Sequence, residues 1–99
     1  MRTLRSLAPR MRLAHLGARH PERVGPLPAR VVVHKDWRRV IRADCDAVII
    51  ATPAPAHAEM LRACLEAQKP CIVETPLCLD VATAERLDRR VRSSGVPVL

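Results

Sequence analysis

Asp46-Ala47-Val48-Ile49-Ile50-Ala51-Thr52-Pro53 is the stretch that decides the fold of this chain. Ala47 to Ala51 is a continuous apolar run, rich in β-branched residues and stopped by Pro53. A run this short with such an ending reads as a strand buried on both faces. A helix is predicted next, from about His57 to Ala67. Ala58, Leu61 and Leu65 recur there at helical spacing, and Met60 and Cys64 widen the apolar stripe. Glu59, Arg62 and Glu66 fall on the other face, three and four residues apart, where they can pair.

The same alternation continues downstream. Cys71-Ile72-Val73 reads as a second strand, ending at Glu74-Thr75-Pro76. Asp80 is a good N-cap for the following helix, whose buried stripe is Ala84, Leu87 and Val91. Glu85 can pair with Arg89 on that helix, and Arg89, Arg90 and Arg92 favour its C-terminal dipole. Gly95 is the expected C-cap, and Val96-Pro97-Val98-Leu99 starts another strand.

Upstream the pattern is less regular. Thr3 to Leu7 reads as the tail of a helix, and Met11 to Leu16 as a strand. Gly25, Pro26 and Pro28 forbid a long helix before the short strand Val31-Val32-Val33. Asp36 can cap a short helix through Trp37, Val40 and Ile41. Strands alternating with helices imply parallel pairing and right-handed crossovers. The expected fold class is α/β, a partial Rossmann-like parallel sheet with flanking helices.

Composition agrees. The chain has 99 residues, room for one small domain, and is 48% hydrophobic and 27% charged, which is globular rather than disordered. Trp37 is the sole aromatic residue, so the core must be aliphatic. The net charge of +7 sits wholly in residues 1–50, which hold 11 Lys+Arg against 4 Asp+Glu; residues 51–99 hold 6 of each. Without a compact basic run or interleaved aromatics, this charge argues against nucleic-acid binding. Phosphate binding by a few arginines stays open. Cys45, Cys64, Cys71 and Cys78 form no C-x-x-C pair and no metal spacing, and read as reduced, buried thiols of a cytoplasmic protein. No run has the length of a transmembrane segment, so no membrane partner is expected.

In an open parallel α/β sheet, ligands bind outside the carboxyl ends of the strands. Three turns stand there: Gly17 to His20, Thr52 to His57, and Glu74 to Pro76.

At these turns the sequence resembles a family. Asp46-Ala47-Val48-Ile49-Ile50-Ala51-Thr52-Pro53, His57-Ala58-Glu59, Glu74-Thr75-Pro76-Leu77, Ala84-Glu85-Arg86-Leu87 and Gly95-Val96-Pro97 follow the order and spacing of the N-terminal domain of the Gfo/Idh/MocA oxidoreductases. This is the glucose–fructose oxidoreductase and inositol dehydrogenase group. Upstream, Pro21-Glu22-Arg23 resembles the start of the helix after the family's second strand.

The resemblance implies a dinucleotide-binding domain over residues 1–99, with NAD(P) as cofactor. Thr52 and Pro53 match the Thr-Pro turn that lies against the dinucleotide; the same Thr could cap the next helix. His57 matches a common His at the start of that helix, where a solvated or internally satisfied ring is also expected. Glu74 matches the Glu of the family's Glu-Lys-Pro turn beside the nicotinamide and substrate, and otherwise is a loop carboxylate. Arg19 stands beside the position that meets the adenine ribose, so NADP is favoured over NAD, unless Arg19 is simply a surface arginine.

Three departures accompany the match. The family's Lys is Thr75 here, the Gly-rich loop after the first strand is missing together with that strand, and the substrate domain is absent. Weak or absent cofactor binding is therefore expected of this chain alone. Two functions follow. The chain is a fragment of, or derived from, an NAD(P)-dependent oxidoreductase acting on a sugar, cyclitol or related alcohol. Alternatively, it is a non-catalytic binding or interaction module that has lost the Gly-rich loop and the catalytic Lys.

Overall fold

The structure is a computed structural model and describes residues 11–99. The helix tail expected at Thr3 to Leu7 lies outside the described residues. The chain divides into two units, one ending at Ala43 and the other spanning Asp44–Leu99.

In the first unit, strand β1 (His15–Gly17) pairs in parallel with β2 (Val32–His34), His15 opposite Val32 and Gly17 opposite His34. The ladder continues one bond each way: Val32 N–H donates to the Ala14 carbonyl at 3.0 Å, and Ala18 N–H to the His34 carbonyl at 2.9 Å. The strand expected over Met11–Leu16 is therefore shorter and later. Its partner sets the limit, because Arg30 turns the chain at φ 69° and β2 starts only after it. Pro21–Arg23 forms one 3-10 turn rather than a helix. Gly25, Pro26 and Pro28 follow it, and proline cannot donate the bonds that would extend it.

Helix α1 (Trp37–Arg42) starts as expected, with the Asp36 carboxylate accepting from Arg38 N–H at 3.0 Å. Gly17 lets β1 approach this helix. A Cβ there would stand 3.2 Å from Val40 Cγ2 and 3.4 Å from Trp37 Cα. On the paired strands, His15 Nδ1 and His34 Nε2 are 3.0 Å apart.

In the second unit, β3 (Val48–Ile50) and β4 (Cys71–Val73) run parallel, with Val48 opposite Cys71, Ile49 opposite Ile72 and Ile50 opposite Val73. The final residues add a further parallel segment. Cys71 N–H donates to the Pro97 carbonyl at 3.1 Å, Leu99 N–H to the Cys71 carbonyl at 3.0 Å, and Val73 N–H to the Leu99 carbonyl at 2.8 Å.

The expectation that β3 is buried on both faces is corrected. Val48 and Ile50 are buried, whereas Ile49 is 49% exposed. Helix α2 (His57–Glu66) packs on β3 and β4 and against α3 (Val81–Ser94). The core it closes comprises Val48, Ile50, Leu61, Cys64, Leu65, Cys71 and Leu87. Ile49 and its partner Ile72, 42% exposed, lie on the opposite side of the pleat.

Among the described residues the strands form two separate parallel pairs, β1–β2 and β3–β4.

Helix ends follow the sequence. Pro53 precedes, and Pro55 lies within, a 3-10 turn (Ala54–Ala56) that leads into α2 without a side-chain cap. Asp80 caps α3, accepting from Thr83 N–H at 2.7 Å and Thr83 Oγ1 at 2.8 Å. Gly95 ends α3 in the left-handed conformation, φ 72°. Glu66 reaches across to Arg90 at 3.7 Å, Arg62 Nε donates to the Ala58 carbonyl, and on α3 Asp88 pairs with Arg92 at 3.0 Å.

The two Thr83 bonds hold the Asp80 carboxyl below its usual range. A depressed folded-state pKa means stability that is present above the unfolded value and lost as pH falls through the folded one. Urea titrations at falling pH should show this loss in the native chain. Asp80→Asn keeps a capping oxygen and should lose that part of the pH dependence; an unchanged acid profile would contradict the assignment.

Of the four thiols, Cys64 and Cys71 are buried, whereas Cys45 and Cys78 are only half-buried. Contact with Cys71 and burial together push the Cys64 thiol well up. Lys69 Nζ donates to Cys45 Sγ at 3.3 Å.

Candidate functional site

The second unit brings two of the three candidate turns together. Thr52 and Pro53 follow β3, and Glu74 to Pro76 follow β4; because the strands are parallel neighbours, both turns emerge at the same carboxyl end. The ladder is closed at that end by Glu74 N–H, which donates to the Ile50 carbonyl at 3.0 Å. The Thr75–Pro76 peptide is cis.

Each expected site residue has a distinct place. Thr52 is half-buried, and its hydroxyl donates to Met60 Sδ at 3.3 Å. It does not cap α2, whose N-cap is Ala56, because the intervening 3-10 turn carries Thr52 too far from the first helical N–H groups. Pro53, Glu74 and Thr75 are exposed on the two turns. His57 is the buried polar side chain of the unit, 1% exposed. Its Nδ1 lies 2.8 Å from the Pro76 carbonyl oxygen and its Nε2 2.6 Å from that of Thr52. The ring therefore spans the two turns from below.

Arg19 belongs to the first unit, exposed in the turn that follows β1. The same turn holds an exposed contact between His20 and Glu22, 3.5 Å apart.

The internally satisfied ring, one of the settings expected of His57, is the one observed, whereas its partner, the Pro76 carbonyl, is a feature that sequence reasoning missed. A signal for the burial existed. His57 stands four residues before Leu61 and seven before Cys64, on the stripe that packs inward.

How far these residues fit a dinucleotide can be judged from the glycines. A pyrophosphate needs a Gly-rich turn opening a helix, so that backbone N–H groups can approach it. The chain has three glycines. Gly17 serves the approach of β1 to α1, Gly95 serves the end of α3, and Gly25 meets no atom within 4 Å of where its Cβ would stand. The described residues thus offer turns suited to the walls of a nucleotide site, but no glycine-rich pyrophosphate cradle. Among the described residues, no group of three or more His, Cys, Asp or Glu could hold a metal ion, and no helix is long and apolar enough to cross a membrane.

Comparison with known proteins agrees with this geometry. The family described as the oxidoreductase family, NAD-binding Rossmann fold, matches residues 1–99. Inositol 2-dehydrogenase of Mycolicibacterium gilvum is 35% identical over 86% of this chain and 24% of its own length. Inositol 2-dehydrogenase of Rhodococcus jostii is 48% identical over 70% of this chain and 19% of its own length. The chain thus spans a quarter or less of these relatives. Among solved structures, a Magnetospirillum magnetotacticum protein provisionally classed as an oxidoreductase superposes with a TM-score of 0.87 at 37% identity, over 99% of this chain and 33% of that one. Biliverdin reductase of Synechocystis, solved with biliverdin and NADP+, superposes with a TM-score of 0.63 at 28% identity, over 69% of this chain and 22% of that one. Parallel strand pairing, the paired turns and a match over the full chain lead to one assignment: this chain belongs to the Gfo/Idh/MocA oxidoreductase family, through its NAD-binding Rossmann-fold domain.

Proposed function

We propose that the chain is the nucleotide-binding part of an NAD(P)-dependent oxidoreductase that oxidises a sugar, cyclitol or related alcohol. The observation that carries this reading is the pair of turns at the carboxyl ends of β3 and β4, bridged by His57. Thr52 and Pro53 would line the dinucleotide, and Glu74 would flank the nicotinamide. The names of the relatives make inositol the first substrate to try. The cofactor, when bound, supplies the hydride acceptor. This chain's residues would supply walls and orientation, and none of the described turns offers a pyrophosphate a glycine-rich cradle. The setting is cytoplasmic, with the four thiols reduced.

NADP is the favoured cofactor. Arg19 follows β1, where a guanidinium can pair with a 2′-phosphate, and the Synechocystis neighbour carries NADP+. The test uses a polypeptide in which a family Gly-rich turn precedes this chain, with Kd measured for NADPH and NADH. Arg19→Asp should lower the preference for NADPH by at least ~10-fold, the scale of one lost charge-assisted bond. If the completed polypeptide binds neither nucleotide, the nucleotide-binding reading fails.

A second reading, a non-catalytic binding module, is favoured by Thr75, which stands where the family has Lys and carries no charge to polarise a substrate oxygen.

A further inference from the structure

His57 is buried beneath the two turns and presents no ring atom to a ligand. Its two nitrogens instead meet two carbonyl oxygens that belong to different turns and lie 24 residues apart in sequence, Thr52 at 2.6 Å and Pro76 at 2.8 Å. Both distances are within hydrogen-bond reach. Carbonyl oxygens only accept, so a hydrogen bond to either of them is donated by the ring. The Thr52 hydroxyl, meanwhile, is engaged with Met60 on the same helix. The Thr52 turn is thus anchored to α2 twice, and the Pro76 turn once, through this ring.

We infer that His57 is a positioning residue, a clasp that sets the spacing of the Thr52–Pro53 turn and the Glu74–Pro76 turn by holding one ring nitrogen against a carbonyl of each. The inference rests on the nucleotide-site reading for its purpose but not for its test. A helix-terminal histidine that served packing alone would not need a partner at both ends.

Two conservative variants separate the ends of the clasp. The amide nitrogen of Gln reaches about as far as Nε2, and that of Asn about as far as Nδ1. His57→Gln should keep the Thr52 bond and lose the Pro76 bond; His57→Asn should do the reverse. With isotope-labelled protein and no nucleotide present, the carbonyl carbon signal of Pro76 should move upfield in the Gln variant while that of Thr52 stays. In the Asn variant the pattern should invert. A purely structural role would shift both signals together, and that outcome overturns the inference. If a variant fails to fold, the unsubstituted chain decides. It should show a slowly exchanging ring N–H signal coupled across a hydrogen bond to the Thr52 or the Pro76 carbonyl carbon, and coupling to neither contradicts the clasp. Because no cofactor enters, failure here leaves the nucleotide reading standing, and the reverse also holds.

Discussion

Leu61→Ala is expected to remove about 3 kcal/mol from the stability of the second unit, a large part of what holds it folded. Leu61 is fully buried on α2, at the centre of a core built from Val48, Ile50, Cys64, Leu65, Cys71 and Leu87. Leu-to-Ala changes at such sites remove about 2–5 kcal/mol, the larger losses occurring where neighbours cannot collapse into the gap. Strands on one side and α3 on the other hold those neighbours apart, so about 3 kcal/mol is expected. A domain of roughly 100 residues has about 5–15 kcal/mol in all. Urea titration followed by far-ultraviolet circular dichroism measures the loss. Leu79→Ala, at a position 68% exposed, should change stability by no more than about 0.5 kcal/mol. A loss under ~1 kcal/mol for Leu61→Ala would mean that α2 is not packed on the sheet as described.

Thr75→Lys carries the second large expected effect. Thr75 is exposed on the turn after β4, next to Glu74, at the end of the sheet where substrate and nicotinamide are proposed to meet. A proton-transferring or polarising group at such a position contributes typically ~10²–10⁴-fold. In a polypeptide completed with a family Gly-rich turn and a family substrate domain, myo-inositol oxidation should rise at least ~100-fold on Thr75→Lys. If the completed Thr75 protein already turns over at an ordinary enzymatic rate and Lys adds nothing, this position does not supply the reacting proton. If neither form is active while the nucleotide binds, the non-catalytic module becomes the better account.

The elements were legible wherever local chemistry dictates them. Asp36 and Asp80 cap helices because carboxylates accept from free N–H groups, and Gly95 ends α3 because it takes φ 72° without strain. Cys71–Val73 emerged with the expected bounds because Pro70 and the following turn frame it. What depends on a partner was not legible. β1 begins at His15 rather than Met11 because β2 offers it only three residues. Ile49 is half exposed because an apolar run records hydrophobicity and not which face a helix covers. The site shows the same division. Thr52, Pro53 and Glu74 were placed by chain order alone, at the carboxyl ends of strands. The setting of His57 depends on a carbonyl far along the chain, and periodicity carries no trace of that partner.

The central claim is that this chain forms walls of a dinucleotide site without the pyrophosphate cradle. Titration of the isolated chain with NADPH, read by Trp37 emission, tests it most directly. Trp37 is the only tryptophan, and its backbone lies against Gly17, just ahead of the Arg19 turn. No saturable quenching at micromolar NADPH is the expected result. Saturable quenching in that range would mean that these residues hold a dinucleotide unaided, and the account of the missing cradle would be wrong.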